Sequence, residues 1–155
     1  MLVGEKLSIK SVLLEHGKYV GPTVGVSMRP MLKTGRDTIV VHRKSGRLKP
    51  LDVALYMRGD AYVLHRVLSV TDTGYVIRGD NCYQDEIVPE EAVIGVLVEF
   101  FRKNKHYDCT DKRYLRYVKR RLRRYKPRRF FVQVKNKVKA VLRKPYRWIF
   151  KRKSK

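Results

Sequence analysis

Three short motifs contain the residues of this chain that are best suited to chemistry. The first occupies residues 25–30, Gly-Val-Ser-Met-Arg-Pro, and places Ser27 between a glycine and a proline. Proline biases the residue before it toward an extended backbone, and glycine allows a neighbouring chain to approach closely. Such a segment can present the Ser27 hydroxyl as a nucleophile, with its own N–H free to stabilise an oxyanion. A serine that only caps a turn would give the same pattern.

The second motif is His65-Arg66-Val67, which lies within the strongest predicted strand. An imidazole has an ordinary pKa of about 6.5, which suits a general base near neutral pH. Residues on a strand alternate between its two faces, so His65 shares a face with valines, and a structural core histidine is the alternative interpretation. Of the other histidines, His42 is a second candidate because it ends a strand, whereas charged residues surround His16 and His106.

The third motif is Arg-Gly-Asp-Asn at residues 78–81. A hairpin turn is predicted at residues 71–74, Thr-Asp-Thr-Gly, and positions 65 and 80 are nearly symmetric about it. We therefore expect Asp80 to lie opposite His65, where a carboxylate can orient the imidazole and stabilise its charged form. Asp85 and Glu86 follow closely and remain alternatives for this role.

The elements that must position these motifs are mostly strands. A short helix is predicted around residues 7–14, with Gly17 as its stop. Runs rich in β-branched and aromatic residues then predict five or six short strands. This pattern predicts a mainly β domain, open or barrel-like, with a short N-terminal helix. The clearest strands are predicted at residues 38–42, 52–56, 62–70, 75–77 and 93–101.

Together, the three motifs resemble those of the type I signal peptidase family, over residues 20 to 101. His65 stands where bacterial signal peptidases and LexA-type repressor proteases carry a lysine, so the chain is similar to the endoplasmic-reticulum and archaeal type. The resemblance implies a signal-peptidase-like fold, Ser27 as the nucleophile, His65 as the base and an aspartate that orients it. Asp80 matches the Gly-Asp-Asn motif, and the later acidic position falls on Asp85 or Glu86. Met28, beside the nucleophile, is assigned to substrate binding, and no metal or cofactor is required.

Charge divides the chain into two parts. The whole sequence has 37 Lys and Arg against 14 Asp and Glu, a net charge of +23. Residues 1–101 contain 13 of these cations and 12 of the acids, whereas residues 102–155 contain 24 and two. We therefore predict a catalytic domain over residues 1–101, followed by a polybasic tail of amphipathic helices over residues 102–155.

The sequence of the tail predicts a binding partner for residues 102–155. Leu115, Val118 and Leu122 lie at helical spacing, Pro127 ends that helix, and a second amphipathic segment follows from Phe131. Basic amphipathic helices, with Trp148 and Phe150 near the end, favour an anionic membrane surface into which these apolar residues would insert. Nucleic acid and an acidic protein are the alternative partners.

These observations predict a serine endopeptidase, a hydrolase that removes a leader or signal-like peptide. Members of the family usually have a membrane-spanning helix before the serine motif, but the longest apolar run here is seven residues, 92–98. A span needs about 20, and the N-terminal residues lack the apolar stretch of a secretory signal. We therefore expect a cytoplasmic protein, either free or peripheral at the cytoplasmic membrane. The alternative is a non-catalytic protein whose basic tail binds nucleic acid or an anionic membrane.

Overall fold

A single antiparallel sheet dominates the computed structural model, which describes residues 8–135 and 138–139. The sheet curves into a half-barrel, which confirms the prediction of a mainly β, open or barrel-like fold. The strands are β1 (Lys18–Pro22), β2 (Asp37–Arg43), β3 (Val53–Arg58), β4 (Ala61–Val70), β5 (Gly74–Arg78), β6 (Glu86–Pro89), β7 (Val93–Arg102) and β8 (Lys105–Asp108). The helices are α1 (Ile9–His16), a 3-10 turn (Glu90–Ala92), α2 (Lys112–Arg123) and α3 (residues 125–135).

In the sheet, β4 carries His65 and lies between two other pairs of strands. The connection between β1 and β2 carries the Ser27 motif, and the connection between β5 and β6 carries Asp80. The strand order is β1-β2-β7-β3-β4-β5-β6, and β8 pairs with β7. The predicted hairpin between β4 and β5 is present, and the Thr71 N–H donates to the Gly74 carbonyl across the turn. Apolar side chains that alternate along these strands form the core, and several of them are almost completely buried, among them Val53, Tyr56, Val67, Tyr75 and Ile77.

Helix α1 has a well-defined start and stop. The Ser8 hydroxyl accepts a hydrogen bond from the Ser11 N–H, 3.0 Å away, which satisfies one of the free N–H groups of the first turn. Gly17 ends the helix with φ of +68°, a conformation that favours glycine. The predicted stop at Gly17 is therefore confirmed. Leu13 is buried against the sheet, and the predicted start at Leu7 lies outside the described residues.

The first compact unit extends to Val118, beyond the predicted boundary at residue 102. Strand β7 continues through Arg102 and pairs with β8, in which Tyr107 stacks on Phe100 at 4.8 Å between ring centroids. The first turns of α2 then bury Tyr114 and Val118, and Val118 has no exposed surface. The charge step marks where cations begin, whereas two apolar residues four positions apart still hold α2 in the first unit, so this unit extends past the step.

The second compact unit begins at Lys119. Helix α2 stops at Arg123, Arg124 forms a turn, and α3 begins at Tyr125 with Pro127 in its first turn, where the missing N–H leaves no helical hydrogen bond unmade. A break between two helices is therefore present, but it lies at Arg124 and not at Pro127, where the sequence predicts it. Trp148 and Phe150 lie outside the described residues. Among the described residues, no helix is both long enough and apolar enough to cross a membrane.

Candidate active site

Ser27 lies on a tight turn that the segment around Asn81 holds in place. The turn occupies residues 27–31, after Gly25, whose φ of +94° suits glycine. The Asn81 N–H donates to the Ser27 carbonyl at 2.7 Å, and the Asn81 side-chain amide donates to the Val26 carbonyl at 3.3 Å. The first and third motifs are thus joined through backbone groups. Ser27 keeps part of its surface exposed, so a substrate can reach it.

Met28, the predicted substrate contact, faces the interior of the protein. Only 4% of its surface is exposed, which leaves little of it for a substrate to touch. Its carbonyl accepts a hydrogen bond from the Leu32 N–H at 3.0 Å, so its backbone is also engaged in the turn. Met28 therefore serves mainly as an apolar anchor that fixes the residue next to it, Ser27.

His65 is buried in β4, with 3% of its surface exposed, and its Nδ1 atom contacts two partners. The Tyr56 hydroxyl lies 3.1 Å from Nδ1, and the Glu86 Oε1 atom lies 3.3 Å from it. Tyr56 donates its only hydroxyl hydrogen to Glu86 Oε2 at 2.8 Å, so both partners offer Nδ1 an acceptor. This arrangement favours the tautomer with the proton on Nδ1, which leaves the Nε2 lone pair to act as a base.

The surroundings of His65 keep its ring neutral near pH 7. Burial lowers the pKa of His65 below its ordinary value of 6.5, since a charged ring loses its hydration there. The negative charge of Glu86 opposes this effect in part, and the cation of Arg58 adds to it. Burial also raises the pKa of Tyr56, and its hydrogen bond to Glu86 raises it further, so the hydroxyl remains a donor.

Gly79 is the point where the three motifs meet. A Cβ atom built on Gly79 would lie 2.8 Å from the Ser27 carbonyl oxygen and 3.0 Å from His65 Cδ2. In an imidazole, Cδ2 is bonded to Nε2 and not to Nδ1, so the ring atom that faces Gly79 is the neighbour of the nitrogen that the anchor leaves free. The structure therefore brings the Ser27 segment and His65 together across the backbone of Gly79.

Asp80 does not take the predicted position opposite His65. A bulge between Val67 and Ser69 shifts the pairing of β4 with β5, so that Arg66 pairs with Arg78 and the next residue, Gly79, comes opposite His65. A shift of one residue moves a side chain to the other face of a strand. On that face, Asp80 accepts two hydrogen bonds of 2.8 Å from Arg66. Its charge still raises the pKa of His65, but less than that of Glu86 does.

Asp85 also has an arginine partner. Its Oδ1 atom accepts a hydrogen bond from Arg78 at 2.7 Å, and about half of the Asp85 side chain is exposed. Of the three carboxylates that the sequence left open, Glu86 is therefore the one at Nδ1 of His65.

Sequence reasoning missed Tyr56, although its place could be inferred: a tight turn between β3 and β4 sets it diagonally across from His65, on the same face.

Arg66 joins the site to the rest of the first unit from the opposite face of β4. Its guanidinium is buried and donates to Asp80, to the Leu51 carbonyl at 2.8 Å and to the Tyr114 hydroxyl at 3.1 Å. The Asp80 carboxylate compensates the buried positive charge, which would otherwise be costly. The loop that carries Gly79 is thus connected to α2 through one arginine.

Cys82 is the other nucleophilic residue near the site. Its Sγ atom lies 2.8 Å from the Cβ position built on Gly79, and its N–H donates to the Gly79 carbonyl at 2.9 Å. Burial raises the pKa of Cys82 above its ordinary value, and the charge of Glu86 raises it further. The thiolate, not the thiol, is the reactive form, so Ser27 is the better candidate nucleophile.

Comparisons of the chain with protein-family models and with curated proteins find no match. The assignment of the candidate site therefore rests on its geometry. Within the described residues, no group of three or more His, Cys, Asp or Glu side chains is placed to hold a metal ion.

Proposed function

We propose that this protein is a serine endopeptidase of the signal-peptidase type, with Ser27 as nucleophile and His65 as general base. One observation carries the proposal: a buried, neutral imidazole is anchored at Nδ1 and lies across Gly79 from a serine on a fixed turn. A core histidine needs only satisfied hydrogen bonds. A catalytic histidine also needs one nitrogen free of the anchor and a nucleophile beside that nitrogen.

The proposed reaction uses the residues in the usual order of acyl transfer. Ser27 Oγ attacks the scissile carbonyl carbon while His65 Nε2 takes the hydroxyl proton. The C–N bond then breaks, and the imidazolium gives that proton to the leaving amine. Water repeats the sequence on the acyl-enzyme, which releases the new carboxylate and restores Ser27. The Ser27 N–H is a candidate donor to the oxyanion.

Glu86 and Tyr56 are positioning residues in this proposal. The Glu86 carboxylate lies near Nδ1 and stabilises the imidazolium that forms when His65 takes the proton. Tyr56 hydrogen-bonds to Glu86 and contacts His65, so it fixes the distance between them. Glu86 thus takes the role that the resemblance implied for an aspartate.

The proposed substrate is an extended peptide segment, such as a leader or signal-like peptide. Strand β1 is an edge strand of the sheet, and residues 23–26 connect it to the Ser27 turn. An end strand can pair with an added peptide strand, which would bring a scissile bond toward Ser27. Cleavage after small side chains is implied by the family resemblance. The predicted cytoplasmic site of action stays a prediction.

The test is covalent labelling of Ser27 together with peptide hydrolysis. The full-length protein is treated with a fluorophosphonate probe, and the modified residue is identified by mass spectrometry. Ser27→Ala should remove the label, and both Ser27→Ala and His65→Ala should lower kcat/KM by about a thousandfold or more, since such residues act as a unit. Cleavage is measured on a library of extended peptides with small side chains.

Matched controls separate catalysis from folding. Ser69→Ala and His42→Ala change the same residue types at exposed strand positions and should keep both labelling and turnover. Circular dichroism checks that every variant is folded. Labelling that persists in Ser27→Ala would refute the assignment of the nucleophile. A folded wild-type protein that neither reacts nor cleaves would instead favour the non-catalytic binding protein.

A further inference from the structure

Helix α3 exposes an apolar stripe in the second compact unit. Phe130 and Phe131 are 62% and 69% exposed, and Val134 and Val138 are also exposed. A helix turns by about 100° per residue, so Phe130, Phe131 and Val134 of α3 fall within an arc of about 100°. Val138 lies in the next described helical residues, 138–139. Phe130, Phe131, Val134 and Val138 are called the apolar stripe below.

Cations border the apolar stripe on both sides. At the same helical spacing, Arg128 and Lys135 lie along one side of the stripe, and Lys126 and Arg129 lie along the other. The sequence from residue 112 to residue 155 contains 21 Lys and Arg and no Asp or Glu. This combination of an apolar stripe and a dense cationic border is typical of helices that lie in a membrane interface.

The apolar face of α2 cannot insert into a membrane in the way that the sequence predicts. Val118 is completely buried in the first compact unit, and Tyr114 is buried there as well, so the central residue of the face formed by Leu115, Val118 and Leu122 is already used for packing. The apolar stripe of α3 has no such use among the described contacts.

We infer that α3 docks on the surface of an anionic lipid bilayer, with the apolar stripe inserted between headgroups. Charge complementarity favours this occupant, because each cation near an anionic surface adds attraction. A second copy of the chain is disfavoured, since two segments with 21 cations each would repel. Single-stranded nucleic acid would attract the cations and could stack on the phenylalanines, but it has no use for exposed Val134 and Val138. The inference does not depend on the proposed peptidase activity.

The experiment measures binding of the full-length protein to vesicles. Sedimentation is compared for phosphatidylcholine vesicles and for vesicles with about one third phosphatidylserine, at two salt concentrations. We expect binding only to the anionic vesicles. Phe130→Ser with Phe131→Ser should weaken it by about tenfold or more, since two aromatic rings no longer insert. Arg128→Ser with Lys135→Ser should weaken it by about thirtyfold at low salt, and by less at high salt.

A matched double variant controls for the loss of exposed apolar surface. Leu14 and Val70 are exposed in the first compact unit, and Leu14→Ser with Val70→Ser should bind the anionic vesicles like the wild type. Circular dichroism checks the helix content of all variants. Unchanged vesicle binding by the phenylalanine variant would overturn the inference. Binding of the wild type to a single-stranded RNA oligomer or to an acidic peptide, but not to anionic vesicles, would overturn it as well.

Discussion

Gly79→Ala should damage the candidate active site by crowding it, without removing any functional group. The added methyl would lie 2.8 Å from the Ser27 carbonyl oxygen, 2.8 Å from Cys82 Sγ and 3.0 Å from His65 Cδ2. Ordinary contacts of a Cβ atom begin at about 3.4 Å. The Cys82 side chain can rotate away, but the Ser27 carbonyl is backbone and is held by the Asn81 N–H. The turn and the imidazole must therefore separate.

The required movement sets the expected size of the effect. Restoring normal contacts takes a shift of about 0.6 Å at the Ser27 carbonyl and about 0.4 Å at the His65 ring. A misplacement of 1 Å can lower a rate by about a hundredfold, so we expect kcat/KM to fall by roughly ten- to a hundredfold. Crowding of a packed site also costs about 1–3 kcal/mol of folding free energy.

The assay measures peptide hydrolysis and urea unfolding of Gly79→Ala beside Gly46→Ala. Gly46 has no atom within 4 Å of its added Cβ and has ordinary backbone angles, so its substitution should change neither quantity. Gly79→Ala combined with Cys82→Ala tests whether the thiol alone is responsible; the double variant should remain impaired. Wild-type turnover by Gly79→Ala would show that Ser27 and His65 do not meet across this residue, and would refute the reasoning.

Two further predictions concern charge. The value of kcat/KM should rise with pH to a plateau, with a midpoint below 6.5, because burial lowers the pKa of His65 and only its neutral ring can accept the Ser27 proton. Glu86→Gln should move the midpoint lower still, and Glu91→Gln should leave it unchanged. A midpoint at or above 6.5 would contradict the assignment. Asp80→Asn should destabilise the fold by about 3–5 kcal/mol in urea unfolding, because it leaves the buried Arg66 charge uncompensated. Asp85→Asn should cost less, because about half of the Asp85 side chain is exposed, although its partner Arg78 is buried. Equal losses would contradict this ranking of the two ion pairs.

The strands and the hairpin turn were predictable because each follows a local pattern. Alternating β-branched residues mark β4, and Gly74 marks the turn that follows it. The identity of the carboxylate beside His65 was not predictable in this way. The symmetry of the hairpin indicated Asp80, but one bulged residue in β4 was enough to bring Gly79 opposite His65 instead. Bulges leave no reliable mark in a single sequence.

Tertiary packing explains the other differences. Glu86 reaches His65 because β6 folds back on β5, and that pairing depends on the whole sheet. Tyr56 appeared as an ordinary strand residue, since nothing local records that its hydroxyl has a partner. Likewise, the charge step at residue 102 was clear, but the burial of Tyr114 and Val118 depends on the surface that β7 and β8 present to α2.

The buried Arg66 makes the site loop and α2 parts of one cooperative unit. Its guanidinium bonds to Asp80 on one side and to Tyr114 on the other, so detachment of α2 would strip a hydrogen-bond partner from a fully buried cation. Amide protons in the 79–81 loop and in the first turns of α2 should therefore exchange with solvent through a shared opening. A shortened protein that ends at Phe101 would disturb the loop next to His65, whereas one that ends after Val118 removes most of the tail and leaves this unit whole.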